Sequence, residues 1–331
     1  MSPWLFAALA AGPLALALFW LASLNSALVE AWYSRGLFAA LNPLWARVTG
    51  WMPLALAEFA LPLLILLLIG LWFVTPRAWL YDLTILSLVL AWFVFGWGLN
   101  YQRQPWAVSA GLEVTGGSLA ELESLASGLV ATANTSRPAV PASWKALIPA
   151  AKPALYSEAL SWLGIAGIYL PWTAEPLVNV GPPVFSLVFT AAHEAQHQLG
   201  WAREDEANFL AWKTLMARGE PGANYSAAMG ALPHVAGALV AQGPQGADAW
   251  KRVSATLSEP VKDDWNALQA YWQRYQGPVQ RVSQAVNDTY LKSQGQSDGV
   301  KSYGRMVDLM LAWENSAAKR RTPPAPPPPA P

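Results

Sequence analysis

The sequence predicts a mainly α-helical membrane protein, with three N-terminal transmembrane helices followed by an α-helical domain outside the bilayer. Three observations predict this. Of 21 basic and 21 acidic residues, only Glu30, Arg35, Arg47, Glu58, Arg77 and Asp82 precede residue 100. Three long apolar runs fill that charge-poor part. Beyond Gln102, apolar residues recur at helical spacing between Pro, Gly and Asn breaks. The net charge is zero, so no bulk field recruits nucleic acid and none is expected as a partner. The absence of cysteine fits either side of a membrane.

A helix needs about 20 apolar residues to cross the hydrocarbon core. The spans are expected near residues 4–24, 54–75 and 79–99, making 1–101 a membrane domain whose partner is the lipid bilayer. No basic residue precedes the first run and no A-x-A site closes it, so a cleaved signal peptide is not expected. Trp51, Trp72, Trp79 and Trp97 fall near span ends, where amphipathic rings favour the headgroup layer. Residues 25–50 read as a mildly amphipathic connection, and Thr75 to Trp79 as a tight turn. Three spans place 25–50 and everything after 101 on one side. Charge does not orient them, because Arg77 opposes Arg35, Arg47 and Arg103.

Residues 102–318 form the second domain. Ser118 is an N-cap for a helix over Leu119–Ala131. Ala159–Leu170 is too short to span and reads as core or interfacial. Further helices are expected at Val184–Leu199, Asp205–Arg218, Ser226–Val240, Ala247–Leu257, Val261–Tyr275 and Pro278–Lys292. Strand signals are few, the best being Gly167–Leu170 and Leu177–Val180. The basic, Pro-rich tail 319–331 cannot form a core and is expected to be disordered or polyproline II.

Chemistry concentrates in His193-Glu194-Ala195-Gln196-His197, which takes two of the chain's three histidines. Residues i and i+4 share a helix face, so His193 and His197 can both bind one Zn²⁺, leaving Glu194 as general base. A catalytic zinc takes a third protein ligand, and Glu204, Asp205 and Glu206 follow closely. On one continuous helix Glu204 would lie about 10 Å beyond His197. The helix must therefore break and turn back, and Gly200 suits that turn. A second helix starting near Glu204 would bring Glu204 and Asn208 onto one face, Asn208 orienting a ligand. His234, following Pro233 at an expected helix start, and Tyr225, Tyr290 and Tyr303 are candidate donors to an oxyanion, with a packing role the plainer reading for each. Arg203 and Asp205 are expected in solvated ion pairs. Glu58, a carboxylate inside a span, is either functional or simply interfacial.

The pentapeptide followed by Glu204-Asp205-Glu206-Ala207-Asn208 resembles the gluzincin-type metallopeptidases, in which E-x-x-A-D or E-x-x-A-N lies on the next helix. That resemblance implies Glu204, rather than Glu206, as third ligand. The metzincin pattern fits through Gly200 and fails at Arg203, where a third His would stand. The whole chain is similar to a bacterial family catalogued as a domain of unknown function, DUF3810, whose members look like membrane metallopeptidases. Gly96–Tyr101, His193–Leu210, Asn287–Lys292 and Gly299–Gly304 carry this likeness over about residues 25–312. It implies a zincin-like domain in the bacterial inner membrane, with the peptidase part extracytoplasmic. The expected function is a zinc-dependent endopeptidase with one Zn²⁺, acting on a peptide or protein near the membrane. The alternative is a membrane scaffold or sensor with a structural or vestigial metal site. A transporter is disfavoured by the few polar residues in the spans.

Overall fold

The computed structural model describes residues 2–137, 144–148, 150–294 and 305–321, and the chain is mainly helical. Helix α1 (Pro3–Ala22) starts with Pro3 at its first position, where a missing N–H costs nothing. A short helix, α2 (Ser26–Leu28), leads into a π-helical stretch, Val29–Phe38, and then α3 (Ala39–Gly50). The sequence pattern shows only an amphipathic connection here; the wider π turn brings Arg35 Nε within 2.7 Å of Glu30 Oε1, five residues back. Helices α4 (Ala57–Val74) and α5 (Ala78–Gly96) follow. Together with α1 they are, among the described residues, the three helices long and apolar enough to cross a membrane. A 3₁₀ turn, Gly98–Gln102, and α6 (Trp106–Ser109) lead into the second part of the chain.

Polar groups join the apolar helices. Pro13 has no N–H for the Leu9 carbonyl, and Ser87 Oγ of α5 lies 2.9 Å from that oxygen and from Ala8 O. Ser87 also accepts the Gly12 amide at 2.8 Å, an approach that a Cβ on Gly12 would obstruct. The sheet supplies the cap of α4. Its strands are β1 (Lys152–Pro153), β2 (Gly167–Leu170) and β3 (Glu175–Val178), in the order β1-β3-β2. Glu175 accepts the Leu56 and Ala57 amides at 3.0 Å each and pairs with buried Lys152 at 2.6 Å. In return Glu58 accepts the Leu155 and Tyr156 amides at 3.0 Å, so this carboxylate fastens the two parts together.

The second part comprises α7 (Leu119–Ser136), α8 (Ser157–Leu163), α9 (Val184–Gln198), α10 (Glu204–Arg218) and α11 (Pro221–Ala241). Then come α12 (Pro244–Ala255), α13 (Glu259–Gln273), α14 (Pro278–Ser293) and α15 (Met306–Arg321). Most of it packs around one large core, with β2, β3 and α8 contributing to a smaller cluster that includes Ala55. Ser118 caps α7 in a reciprocal box with Glu121. Ala223, Ala227, Ala228 and Ala231 leave α11 slim enough to sit centrally against α7, α9 and α10. β2 runs antiparallel to β3, from Gly167 opposite Val178 to Leu170 opposite Glu175, and forms an edge of the sheet.

Several expectations change. Pro233 lies inside α11, so His234 stands mid-helix rather than at a helix start; burial of the surrounding helix outweighs one lost backbone bond. Helix α15 runs to Arg321, three residues into the expected tail, because Met306 to Leu311 anchor it in the core. Tyr303, Gly299–Gly304 and the tail beyond Arg321 lie outside the described residues.

Candidate functional site

Helix α9 presents Phe185, Leu187, Val188 and Ala191 to the core, which fixes the turn carrying His193, Glu194 and His197. Its end is a Schellman turn: the Gly200 N–H reaches His197 O (2.9 Å) and the Trp201 N–H reaches Gln196 O (3.0 Å). Gly200 takes φ +85°, where a Cβ would lie 2.7 Å from the Phe38 ring. The chain then reverses into α10, whose first residue is Glu204. Its Oε2 stands 3.2 Å from His193 Nε2 and 3.5 Å from His197 Nε2. The two Nε2 atoms are 3.0 Å apart.

Further bonds hold this turn from outside α9 and α10. Trp97 Nε1 donates to His197 O at 2.9 Å, Asn42 Nδ2 to Gln198 O at 2.6 Å, and Arg103 Nη1 to Gly200 O at 2.8 Å. The carbonyls left open where a helix ends are thus met by side chains from α3 and the segment after α5. Arg103 lies 3.5 Å over the Trp201 ring and bonds both oxygens of buried Glu30, at 2.9 and 3.0 Å. Burial opposes ionisation of Glu30, but Arg103 and Arg35 hold its carboxyl below the ordinary value. Trp97, expected at the headgroup layer, is instead buried among Tyr101, Tyr169 and His197. Its indole N–H has a carbonyl to satisfy, which a surface ring would lack.

His197 Nδ1 lies 2.7 Å from Trp201 O; its proton there directs Nε2 toward His193 and Glu204. His193 Nδ1 is buried with no hydrogen-bond partner. Burial lowers the His197 pKa, yet the Glu204 charge and hydrogen bond carry it up to about 9. Burial likewise opposes ionised Glu204, and the imidazoles reverse this, holding its carboxyl well below the usual range. Two imidazole nitrogens and one carboxylate oxygen, all within 4.8 Å of one another, form a donor set of the kind zinc takes in open sites.

Glu194 points elsewhere. It is buried against β2, where the Tyr169 N–H bonds its carboxylate and Gly167 lets strand and helix meet. A Cβ on Gly167 would stand 2.7 Å from Glu194 Oε1. Burial raises the Glu194 carboxyl above its ordinary value, against the lowering influence of both histidines. A cavity of about 1060 Å³ opens over Glu194, His193, His197 and Glu204. One wall is β2 with Phe93, Trp97 and Tyr101; another is α14, with Asn287 and Tyr290.

Of the remaining candidates, His234 and Asn208 line the cavity and Tyr225 does not. Burial and then His193 push His234 down to about 4, leaving it neutral. The Asn208 amide nitrogen is buried with no hydrogen-bond partner among the described residues. The Tyr225 hydroxyl donates to Asp264 at 2.5 Å, and Asp264 also holds Arg137, so this tyrosine braces helices away from the site. Neither Arg203 nor Asp205 stands in the solvated ion pair expected of it: Arg203 approaches buried Glu206 at 4.0 Å, and Asp205 is largely shielded, its carboxyl raised by burial against the lowering influence of Arg203 and Arg305. Glu206 bonds the Trp106 amide at 2.7 Å and is pushed up to about 7 by burial. Tyr101, whose hydroxyl donates to that of Tyr290 at 3.1 Å, is a site residue that sequence reasoning misses; the Gly96–Tyr101 motif is the available signal.

The molecule is thus a helical protein with three bilayer-length apolar helices and a buried His–His–Glu cluster braced by the segment that follows them. The chain belongs to the family described as protein of unknown function (DUF3810), whose model matches residues 33–145 and 141–311. No curated protein and no solved structure gives a significant match.

Proposed function

We propose that this chain is a membrane-anchored zinc-dependent endopeptidase. The observation that carries the reading is the convergence of His193, His197 and Glu204, with Glu194 beside them in one cavity. His193, His197 and Glu204 would hold the ion; His197 is already oriented by Trp201 O, as ligand histidines commonly are. When bound, zinc supplies Lewis acidity that acidifies water toward about pKa 7 and polarises a carbonyl.

This chain's residues then do the rest. Glu194 takes a proton from the attacking water and returns it to the leaving nitrogen as the C–N bond breaks. Tyr290 and His234 line the same cavity and can donate to the carbonyl oxygen as charge develops there. β2 is an edge strand in the cavity wall, which suits an extended peptide lying alongside it. A purely structural metal site has no use for a carboxylic acid beside its ligands, and this favours the enzyme over the scaffold. Purified protein should hold about one zinc per chain. Glu194→Gln should retain it while losing hydrolysis, and His193→Ala should lose both. Properly folded wild type that takes up no zinc would overturn the reading.

A further inference from the structure

Helix α14 carries an apolar stripe that the rest of the described chain does not cover. Val279, Val282 and Val286 are 52%, 65% and 64% exposed. At about 100° per residue they share one face, opposite Arg281, Asp288 and Lys292. The same helix turns Ser283, Asn287 and Tyr290 into the cavity. Its stripe therefore flanks the cavity mouth.

The opposite lip can be placed by depth. Trp172, in the β2–β3 connection, donates its indole N–H to Val89 O of α5 at 3.2 Å and packs on Phe93. Val89 lies seven residues before Gly96, about 10 Å along a helix that is itself about as long as the hydrocarbon core is thick. Trp172 also accepts the Trp45 indole N–H through its carbonyl, so α3 reaches the same level. Leu155 and Tyr156, just before α8, bond Glu58 in the first turn of α4, and α14 meets the end of α8 where Gln280 covers Gly164. Its other end meets Tyr101, five residues past α5. One end of α14 is thus tied beside the point where α5 ends, and the other to α8, whose start is fastened to the first turn of α4. Between them the rim is apolar and exposed: Leu163, Trp172 and Val286.

We propose that the bilayer covers the α14 stripe, and that the cavity opens sideways into the headgroup–acyl boundary. The surface is continuous with that of the apolar helices, and its charges lie on the far side of α14, as in a helix lying in an interface. If the function proposed above holds, the ligand class follows: a peptide tethered to the membrane by an acyl chain or an apolar segment.

The natural chain has no cysteine, so single-cysteine variants of the full protein take one nitroxide label each. In vesicles, labels at Val282→Cys and Val286→Cys should collide with dissolved oxygen, relative to a water-soluble nickel chelate, at least tenfold more than one at Arg281→Cys. Water-like ratios at all three positions would overturn the proposal. A second arm compares one peptide with and without an N-terminal acyl chain, in the presence of vesicles. Cleavage favouring the acylated form at least tenfold is expected, and equal cleavage would overturn sideways access. Cleavage of neither peptide would count against the proposed function, while the nitroxide ratios still decide how α14 sits.

Discussion

The two walls of the cavity are built differently. The Gly200 turn between α9 and α10 is held by Trp97, Asn42 and Arg103, with Glu30 fixing Arg103 from behind. Helix α14 meets its surroundings through buried Leu291, Gln280 over Gly164, and the Tyr290–Tyr101 hydroxyl pair. Dense polar bracing keeps the donor atoms of one wall in place, whereas among the described residues the other wall rests on a few contacts and its apolar stripe. On the zinc-peptidase reading proposed above, a site that holds an ion and still admits a large ligand needs both kinds of wall. The bracing also explains what the Gly96–Arg103 segment does physically, since it joins the apolar helices to the Gly200 turn.

The largest effect that separates the walls should come from Arg103→Ala. It leaves Glu30 buried with exposed Arg35 as its remaining described cation and frees the Gly200 carbonyl. Breaking one partner of such a pair costs about 3–5 kcal/mol. Denaturant unfolding in detergent should show it, and zinc affinity should fall as well. Arg103→Lys keeps the charge but not the two-pronged bond to Glu30, and should fall between. Unchanged stability in Arg103→Ala would mean the turn holds its shape unaided.

Metal removal comes next. If the proposed zinc site holds, binding at a free zinc concentration about 100 times Kd would stabilise the folded chain by about 2.7 kcal/mol. A strong chelator should therefore lower Tm in wild type and in Glu194→Gln, but not in His193→Ala. Gly200→Ala follows at about 2 kcal/mol, since a side chain at φ +85° is strained and this one meets Phe38. Trp97→Phe should cost about 1 kcal/mol: it deletes one donor while His197 O keeps the Gly200 N–H. Thermal unfolding with and without zinc ranks all three.

Much of this is legible in the sequence where pattern is local. The apolar runs locate α1, α4 and α5 within a few residues, and the spacing of His193, His197 and Gly200 anticipates a helix that turns back to present Glu204. What is not legible depends on pairing across long stretches of chain. Trp97 has the composition of an interfacial tryptophan, and only its carbonyl partner 100 residues away makes it a brace. Tyr225 has the chemistry of an oxyanion donor, and only Asp264 shows that its hydroxyl is committed elsewhere. The helix over residues 26–50 is hidden because Glu30 and Arg35 read as surface charges, whereas Glu30 is buried against Arg103.

The smallest expected change in stability is also the one that tests the lightly held wall most directly. Tyr290→Phe removes a single hydroxyl whose described partner is Tyr101. Burial raises the Tyr290 phenol to about 12, so it is protonated at any working pH and can serve only as a hydrogen-bond donor or acceptor. Losing one neutral hydrogen bond should cost no more than about 1 kcal/mol in unfolding, and zinc affinity should hold, because Tyr290 lies outside the donor set. If the hydroxyl meets the developing oxyanion, hydrolysis should nevertheless drop about 10²-fold in kcat with KM little changed. If it only ties α14 to Tyr101, the loss should be small and should appear in KM, as a ligand meets a looser wall. Tyr101→Phe separates these outcomes: it cuts the same tie while leaving the Tyr290 hydroxyl in the cavity, so only a tethering role predicts that the two variants behave alike.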